Sequence, residues 1–299
     1  MRLLLLATFG AALLLPACQR RTAPAAAVHY VVGAPYVSGG AWRYPRADFT
    51  FDRSGLAVIY AAHGRRTADG EVFDQTALAA GAPTLQLPAL ATLTNLANGR
   101  QINLRLNDRG PADPGRMVVI TRRAAALLGA VGDAPIPVRL AVQETESRAM
   151  AAGLQGDAPA LAVATAGTAA VQSESLAPPP GAAQAGALRR AAPGKRAIGA
   201  PMPPAPQPVP LRLPEAMRQM AVHPVALVID CGGFGQPEYA DILRARLARL
   251  GARTTTRYNA PRDHAYMVRI GPLPNLAAAD AMLARARRAG ATDARIAVE

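Results

Sequence analysis

Two carboxylates stand in chain reversals, where a side chain can reach a substrate. Glu71 follows the Asp69-Gly70 turn pair in the stretch TADGEVFD, Thr67 to Asp74. Asp108 stands in Asn107-Asp108-Arg109-Gly110-Pro111, at the end of an alternating run. Carboxyl groups held beside a substrate can give and take protons, the general acid and base role. Each also has a plain reading. Glu71 can be a solvated charge at a hairpin end, and Asp108 a turn cap shaped by its Gly and Pro neighbours. Other reactive side chains are few. The four histidines, His29, His63, His223 and His264, show no ligand spacing, so a metal-dependent hydrolase is disfavoured and no metal or cofactor is implied. Cys231, in ALVIDCGGF, reads as a small apolar strand residue rather than a reactive thiol.

The elements that must position these carboxylates lie between residues 29 and 143. This region holds short β-rich runs broken by turns: HYVVGAPYV, GLAVIYAA, LATLTNLANGRQINLRLNDRG, MVVI and IPVRLAVQ. Asn98-Gly99 between two alternating apolar runs signals a hairpin whose second strand delivers Asp108. One helix is expected in TRRAAALLGAV, ended by Gly129. Many short strands with one or two short helices point to a small closed barrel.

Residues 144–222 change character, with APPPGAAQAG and AAPGKRAIGAPMPPAPQPVP. Such a composition does not bury enough apolar area to offset chain entropy, and it reads as a disordered linker with a short helix near LPEAMRQM. As a flexible coil it would span roughly 50 Å and hold a second domain at raised local concentration. Residues 223–299 contain a repeat, in which ADILRARLARLGA (Ala240 to Ala252) aligns with ADAMLARARRAGA (Ala279 to Ala291). Each copy follows a strand that ends in a glycine turn, and each helix stops at glycine, Gly251 and Gly290. Pro237 suits a first helical turn. The order strand, helix, strand, strand, helix, strand is ferredoxin-like.

Length and composition agree with two modest cores. The chain has 299 residues but five Phe, one Trp and 27 Pro, too little bulk for one core along its length. Its formal charge of +13 comes almost wholly from scattered Arg without interleaved aromatics, so no nucleic-acid partner is implied. An anionic cell envelope fits the charge as well. At the N-terminus, Arg2 precedes an apolar run ending at Pro16, too short to span a bilayer and built like a secretory signal. Leu15-Pro16-Ala17-Cys18 resembles a bacterial lipoprotein box, which implies a signal over residues 1–18 and acylation of Cys18. Several acyl chains would anchor the protein stably in a membrane. By the same resemblance Gln19 suggests outer-membrane sorting. An ordinary signal with a chance cysteine is the alternative.

Taken as a whole, GLAVIYAAHGRRTADGEVFD, ALAAGAPTL, TNLANGRQINLRLNDRGP and ITRRAAALLG, with the lead-in GAPYVSGGAWRYPRADF, resemble the rare lipoprotein A family. The resemblance runs from about Tyr30 to Val142. It implies a double-psi β-barrel and the activity of a lytic transglycosylase on peptidoglycan, with Asp108 as acid and base and Glu71 as its partner. Such an enzyme protonates the glycosidic oxygen, and the same carboxylate then takes the proton from the muramic sugar's own C6 hydroxyl. A second carboxylate helps by favouring the protonated acid or by stabilising positive charge on the ring. The chain departs from the family in two places: Ala82 stands where relatives carry His, and Ile59-Tyr60-Ala61 replaces Trp-Tyr-Gly. His63 is not a ready substitute. A barrel that binds peptidoglycan without cutting it is therefore the alternative.

The terminal repeat resembles a SPOR domain, which implies binding of septal glycan strands stripped of their peptides. If Ile229 and Val268 point inward, Asp230 and Arg269 take matching places on the open sheet face as glycan-binding residues. Structurally, they could equally form a cross-strand ion pair.

Overall fold

In a computed structural model the described residues are 28–61, 66–154, 156, 212–256 and 265–299. The signal segment with Cys18, residue His63 and most of the Ala/Pro-rich stretch lie outside them.

The N-terminal unit opens with a hairpin of β1 (Tyr36–Ser38) and β2 (Ala41–Arg43). Gly39 sits in its turn at φ 58°, against the carbonyl of Ala112, where a Cβ would come within 1.9 Å of that oxygen. Six strands follow: β3 (Asp52–Ile59), β4 (Ala79–Gly81), β5 (Ala89–Asn95), β6 (Arg100–Asp108), β7 (Val118–Ile120) and β8 (Ile136–Val142). They pair in the order β4-β7-β3-β8-β5-β6, and β6 returns to β4, which closes the barrel. The pairs β3–β7 and β4–β6 are parallel and the rest antiparallel, as a double-psi arrangement requires. Alternation drives this closure. Leu93, Ile102, Leu104, Leu106, Val138 and Leu140 point inward and are almost fully buried, each contributing about 1.5–3 kcal/mol. Asn98-Gly99 turns β5 into β6 as expected, with Gly99 at φ 74°. Helix α1 (Arg122–Leu127) starts at Thr121, whose side chain accepts from Ala124 N–H.

A second helix, α2 (Glu144–Ala152), moves the expected start of the linker. Its first turn carries Glu144 and Glu146, which suits a helix N-terminus, and it buries Ser147 and Met150 on the barrel. The Ser147 hydroxyl accepts from Leu90 N–H at 3.0 Å and donates to Leu90 O at 3.1 Å. At the other end, LPEAMRQM is not helical. Met217–Gln219 forms β9, antiparallel to the start of β6. That edge of β6 is left open because β4 covers only Arg105 to Asp108, and backbone pairing there outweighs helix propensity.

The C-terminal unit runs β10 (Leu227–Phe234), α3 (Pro237–Arg246), β11 (Arg253–Thr256), β12 (Tyr266–Leu273), α4 (Leu276–Arg288) and β13 (Arg295–Val298). Its sheet order is β11-β12-β10-β13. Ile229 and Val268 are fully buried with Leu283 and Ala286 of α4, the inward orientation that alternation predicts. The two units are docked. Ser54 hydrogen-bonds Val298, Arg116 grips Asp280 at 2.7 and 2.9 Å, and Leu56 of β3 packs into the same apolar cluster as Ile229 and Val298.

Candidate active site

The turn that carries Glu71 is tight and buried. Thr67 N–H donates to Glu71 O at 2.9 Å and Gly70 N–H to Thr67 O at 3.0 Å, with Gly70 at φ 89°, where a Cβ would be strained. This turn lies on the end of β6. Asp69 N–H donates to Asn107 O at 3.2 Å, and Ala68 N–H donates to Asp108 Oδ1 at 3.1 Å. The β4–β6 register slips between Ala80 and Gly81, opposite Leu106 and Asp108, so β6 carries an extra residue at this point. A bulge of this kind breaks strict alternation and re-aims side chains. Both expected carboxylates thus belong to one small region, Glu71 on the turn and Asp108 on the strand that the turn covers.

Each carboxylate is held by several groups. Asp108 Oδ1 also accepts from Arg109 N–H at 2.8 Å, and Oδ2 accepts from the Tyr60 hydroxyl at 2.9 Å. Tyr60 is itself fixed edge-on against Phe73, with ring centroids 4.7 Å apart. Gly81 makes room for it, since a Cβ there would stand 2.3 Å from the Tyr60 oxygen. Glu71 Oε2 accepts from Asn107 Nδ2 at 2.7 Å, and Arg105 Nε lies 2.6 Å from Oε1 at an angle that makes an ion pair rather than a good hydrogen bond. Asp108 and Glu71 are only 2% and 7% exposed, so neither is the solvated turn charge that the plain reading allows.

A third carboxylate, Asp69, completes the cluster. It is wholly buried, and its Oδ1 accepts from the Thr67 hydroxyl at 2.7 Å and Glu71 N–H at 3.2 Å. Its Oδ2 has no hydrogen-bond partner and lies 4.0 Å from Arg105. Burial, with the Glu71 charge beside it, pushes the Asp69 carboxyl up to about 7. Arg105 and its partner Asn107 are separated by two on β6 and so share a face, which explains how one strand supplies both groups that hold Glu71. Tyr60, Asp69, Arg105 and Asn107 are site residues that sequence reasoning missed. A buried-looking Arg inside the alternating run INLRLND was the available signal.

Ala82, at the position of the family's His, donates its N–H to Asp108 O at 3.0 Å while its methyl packs into the barrel core at 2% exposure. The backbone around Asp108 is thus held by Ala82 without an imidazole. Cys231 is buried, and burial raises its thiol to about 12, in keeping with an inert strand residue.

In the C-terminal unit, Asp230 and Arg269 are register partners on β10 and β12. They do not stand on an open face. Asp230 is 2% exposed and its Oδ2 takes the guanidinium of Arg295 on β13, while Arg269 lies 4.0 Å away and pairs with Glu299. The face they occupy is turned to the barrel, across a cleft of about 930 Å³ that Arg53 and Arg139 also line. Docking of β13 against β3 covers it.

Comparison with known proteins assigns both units. Residues 52–140 match the family model described as lytic transglycolase, and residues 224–297 match the SPOR domain. The chain is 46% identical over 91 residues to the endolytic peptidoglycan transglycosylase RlpA of Yersinia pestis, a match covering 30% of this chain and 25% of that protein. It is 29% identical over 256 residues to the Pseudomonas aeruginosa protein of the same name, covering 80% of this chain and 69% of that one. The Campylobacter jejuni protein of that name is 35% identical over 111 residues, 36% of this chain and 40% of the relative. The chain thus spans about a quarter of the length of the first of these curated relatives.

Proposed function

We propose that this chain, RlpA-like in both folded units, is an endolytic lytic transglycosylase of the bacterial cell envelope that cuts peptide-stripped peptidoglycan strands at the division septum. Asp108 gives its proton to the glycosidic oxygen. The same carboxylate then removes the proton of the muramic C6 hydroxyl, which closes onto C1 and leaves an anhydro end, so no water has to be activated. Tyr60 O–H, Ala68 N–H and Arg109 N–H fix the carboxylate's direction. Glu71, held by Arg105 and Asn107, supplies negative charge against the positive charge that develops on the sugar ring. The SPOR domain holds the enzyme on glycan, though not through Asp230 and Arg269, whose face the docked barrel covers, and an acylated Cys18 ties the mature protein to a membrane, the outer one by the character of Gln19.

The observation that carries this reading is the convergence of Asp108 and Glu71 on one turn, Thr67 to Glu71, at the bulged end of β6. It is tested by digesting peptide-free sacculi with the mature protein and with Asp108→Asn. Anhydro-muramic products from the first and not the second are expected. Products from both would remove Asp108 from the chemistry, and products from neither would leave a glycan-holding protein.

A further inference from the structure

A second cleft, of about 610 Å³, opens between the barrel and the SPOR domain on the side of the β1–β2 hairpin. Trp42 and Tyr44 line it. They are two residues apart on an extended run and project to one side, with ring centroids 6.4 Å apart, planes 25° from parallel, and 62% exposure each. Stacked rings left in water suit the apolar face of a sugar.

Arg43, between them in sequence, lines the same cleft. Its Nη2 donates to Ala112 O at 3.2 Å, and its Nε is buried with no partner. From the opposite wall comes Arg287, in the last turn of α4, whose Nη1 donates to Ala294 O at 3.3 Å. Among the described residues neither guanidinium is in an ion pair. Burial lowers the pKa of Arg43, and the charge of Arg287 lowers it further, against opposing effects of Tyr36 and Asp113. Two cations lining one cleft without an ion pair are an arrangement that one carboxylate would settle. The cavity has the size of sites that enclose small ligands.

We propose that this cleft is a subsite for a muramic acid residue whose lactyl carboxylate is free: Trp42 and Tyr44 take the sugar face, and Arg43 and Arg287 take the carboxylate. The choice of sugar rests on the function proposed above. In a strand that still carries stem peptides this carboxylate is an amide, without charge, so the subsite reads whether the strand has been stripped. Both domains contribute to it, so the docked arrangement is the binding form.

Trp42 is the single tryptophan of the chain, so its fluorescence reports the site directly. The mature protein carrying Asp108→Asn is titrated with the N-acetylglucosamine–N-acetylmuramic acid disaccharide and with its lactyl methyl ester. A saturable change is expected with the acid, and binding at least about tenfold weaker with the ester, a loss of one charge-assisted contact. In an Arg287→Gln background, whose fold is checked by circular dichroism, the acid should fall to the level of the ester. Equal binding of acid and ester, no response of Trp42, or an unchanged preference in Arg287→Gln would overturn the subsite. None of these readouts requires cleavage, so an inactive barrel would refute the enzymatic reading and leave this one standing.

Discussion

Replacing Asp69 by Asn gives the sharpest test of how the carboxylate cluster is charged. The amide has the shape of a protonated carboxyl, and its oxygen can still accept from the Thr67 hydroxyl and Glu71 N–H. In the unfolded chain Asp69 ionises near its ordinary value of 3.8, whereas in the fold it is held up to about 7, by burial and by Glu71. The native state therefore binds the proton more tightly than the unfolded state. The stability this proton confers is complete below pH 3.8 and is lost as pH rises through about 7. A shift of this size corresponds to on the order of 4 kcal/mol. The amide of the variant does not ionise and suffers no such loss. Urea unfolding of both proteins at intervals from about pH 4 to about pH 8 should show the variant gaining on the wild type throughout, by up to several kcal/mol at the alkaline end. A difference that stays flat with pH, or that turns against the variant as pH rises, would mean that Asp69 is ionised beside Arg105 and would refute the reasoning.

Three further single substitutions probe the site and one double substitution the domain seam. Tyr60→Phe removes the donor on Asp108 Oδ2 and should lower glycan cleavage roughly tenfold for about 1 kcal/mol of stability, measured by product release and urea unfolding. Gly81→Ala puts a methyl 2.3 Å from the Tyr60 oxygen and should cost about 1–3 kcal/mol while lowering cleavage as Tyr60→Phe does. Arg105→Met leaves Glu71 buried without its cation and should destabilise by about 3–5 kcal/mol by the same unfolding assay. Arg116→Ala with Ser54→Ala cuts two links between the units and should raise the radius of gyration in solution scattering; an unchanged value would mean that the apolar contact at Leu56 suffices.

Alternation and turn chemistry carried the barrel far in the sequence. Ile102, Leu104 and Leu106 announced the inner face of β6, and Asn98-Gly99 announced its start. The carboxylates at 71 and 108 were legible as a pair only through the motif as a whole, because each alone is ordinary turn chemistry. What surrounds them was not legible. Asp69 looks like the first half of an Asp-Gly turn, and only the fold of the turn onto Asn107 buries it. The bulge at the end of β6 depends on β4, three residues long and distant in sequence. Helix α2 was hidden by composition, since ETESRAMAA adjoins an Ala/Pro-rich stretch and its burial on Leu90 is a long-range contact. Asp230 and Arg269 were placed on the right face of their sheet, but alternation within one domain does not foretell that β3 of the other domain will lie across it.

Strand β9 changes what the intervening stretch does. Helix α2 fastens its near end to the barrel, and β9 fastens its far end to the same barrel through Arg100 to Ile102. Glu215, just before β9, also takes the guanidinium of Arg123. The described residues on both sides of the Ala/Pro-rich stretch are therefore fixed to the same barrel, and the step from β9 into the second domain is only the short run from Met220 to Ala226. The distance between the barrel and the C-terminal unit is then set by that short run and by the docking surface. Shortening the Ala/Pro-rich stretch, whose described flanks both sit on the barrel, should leave that distance unaltered.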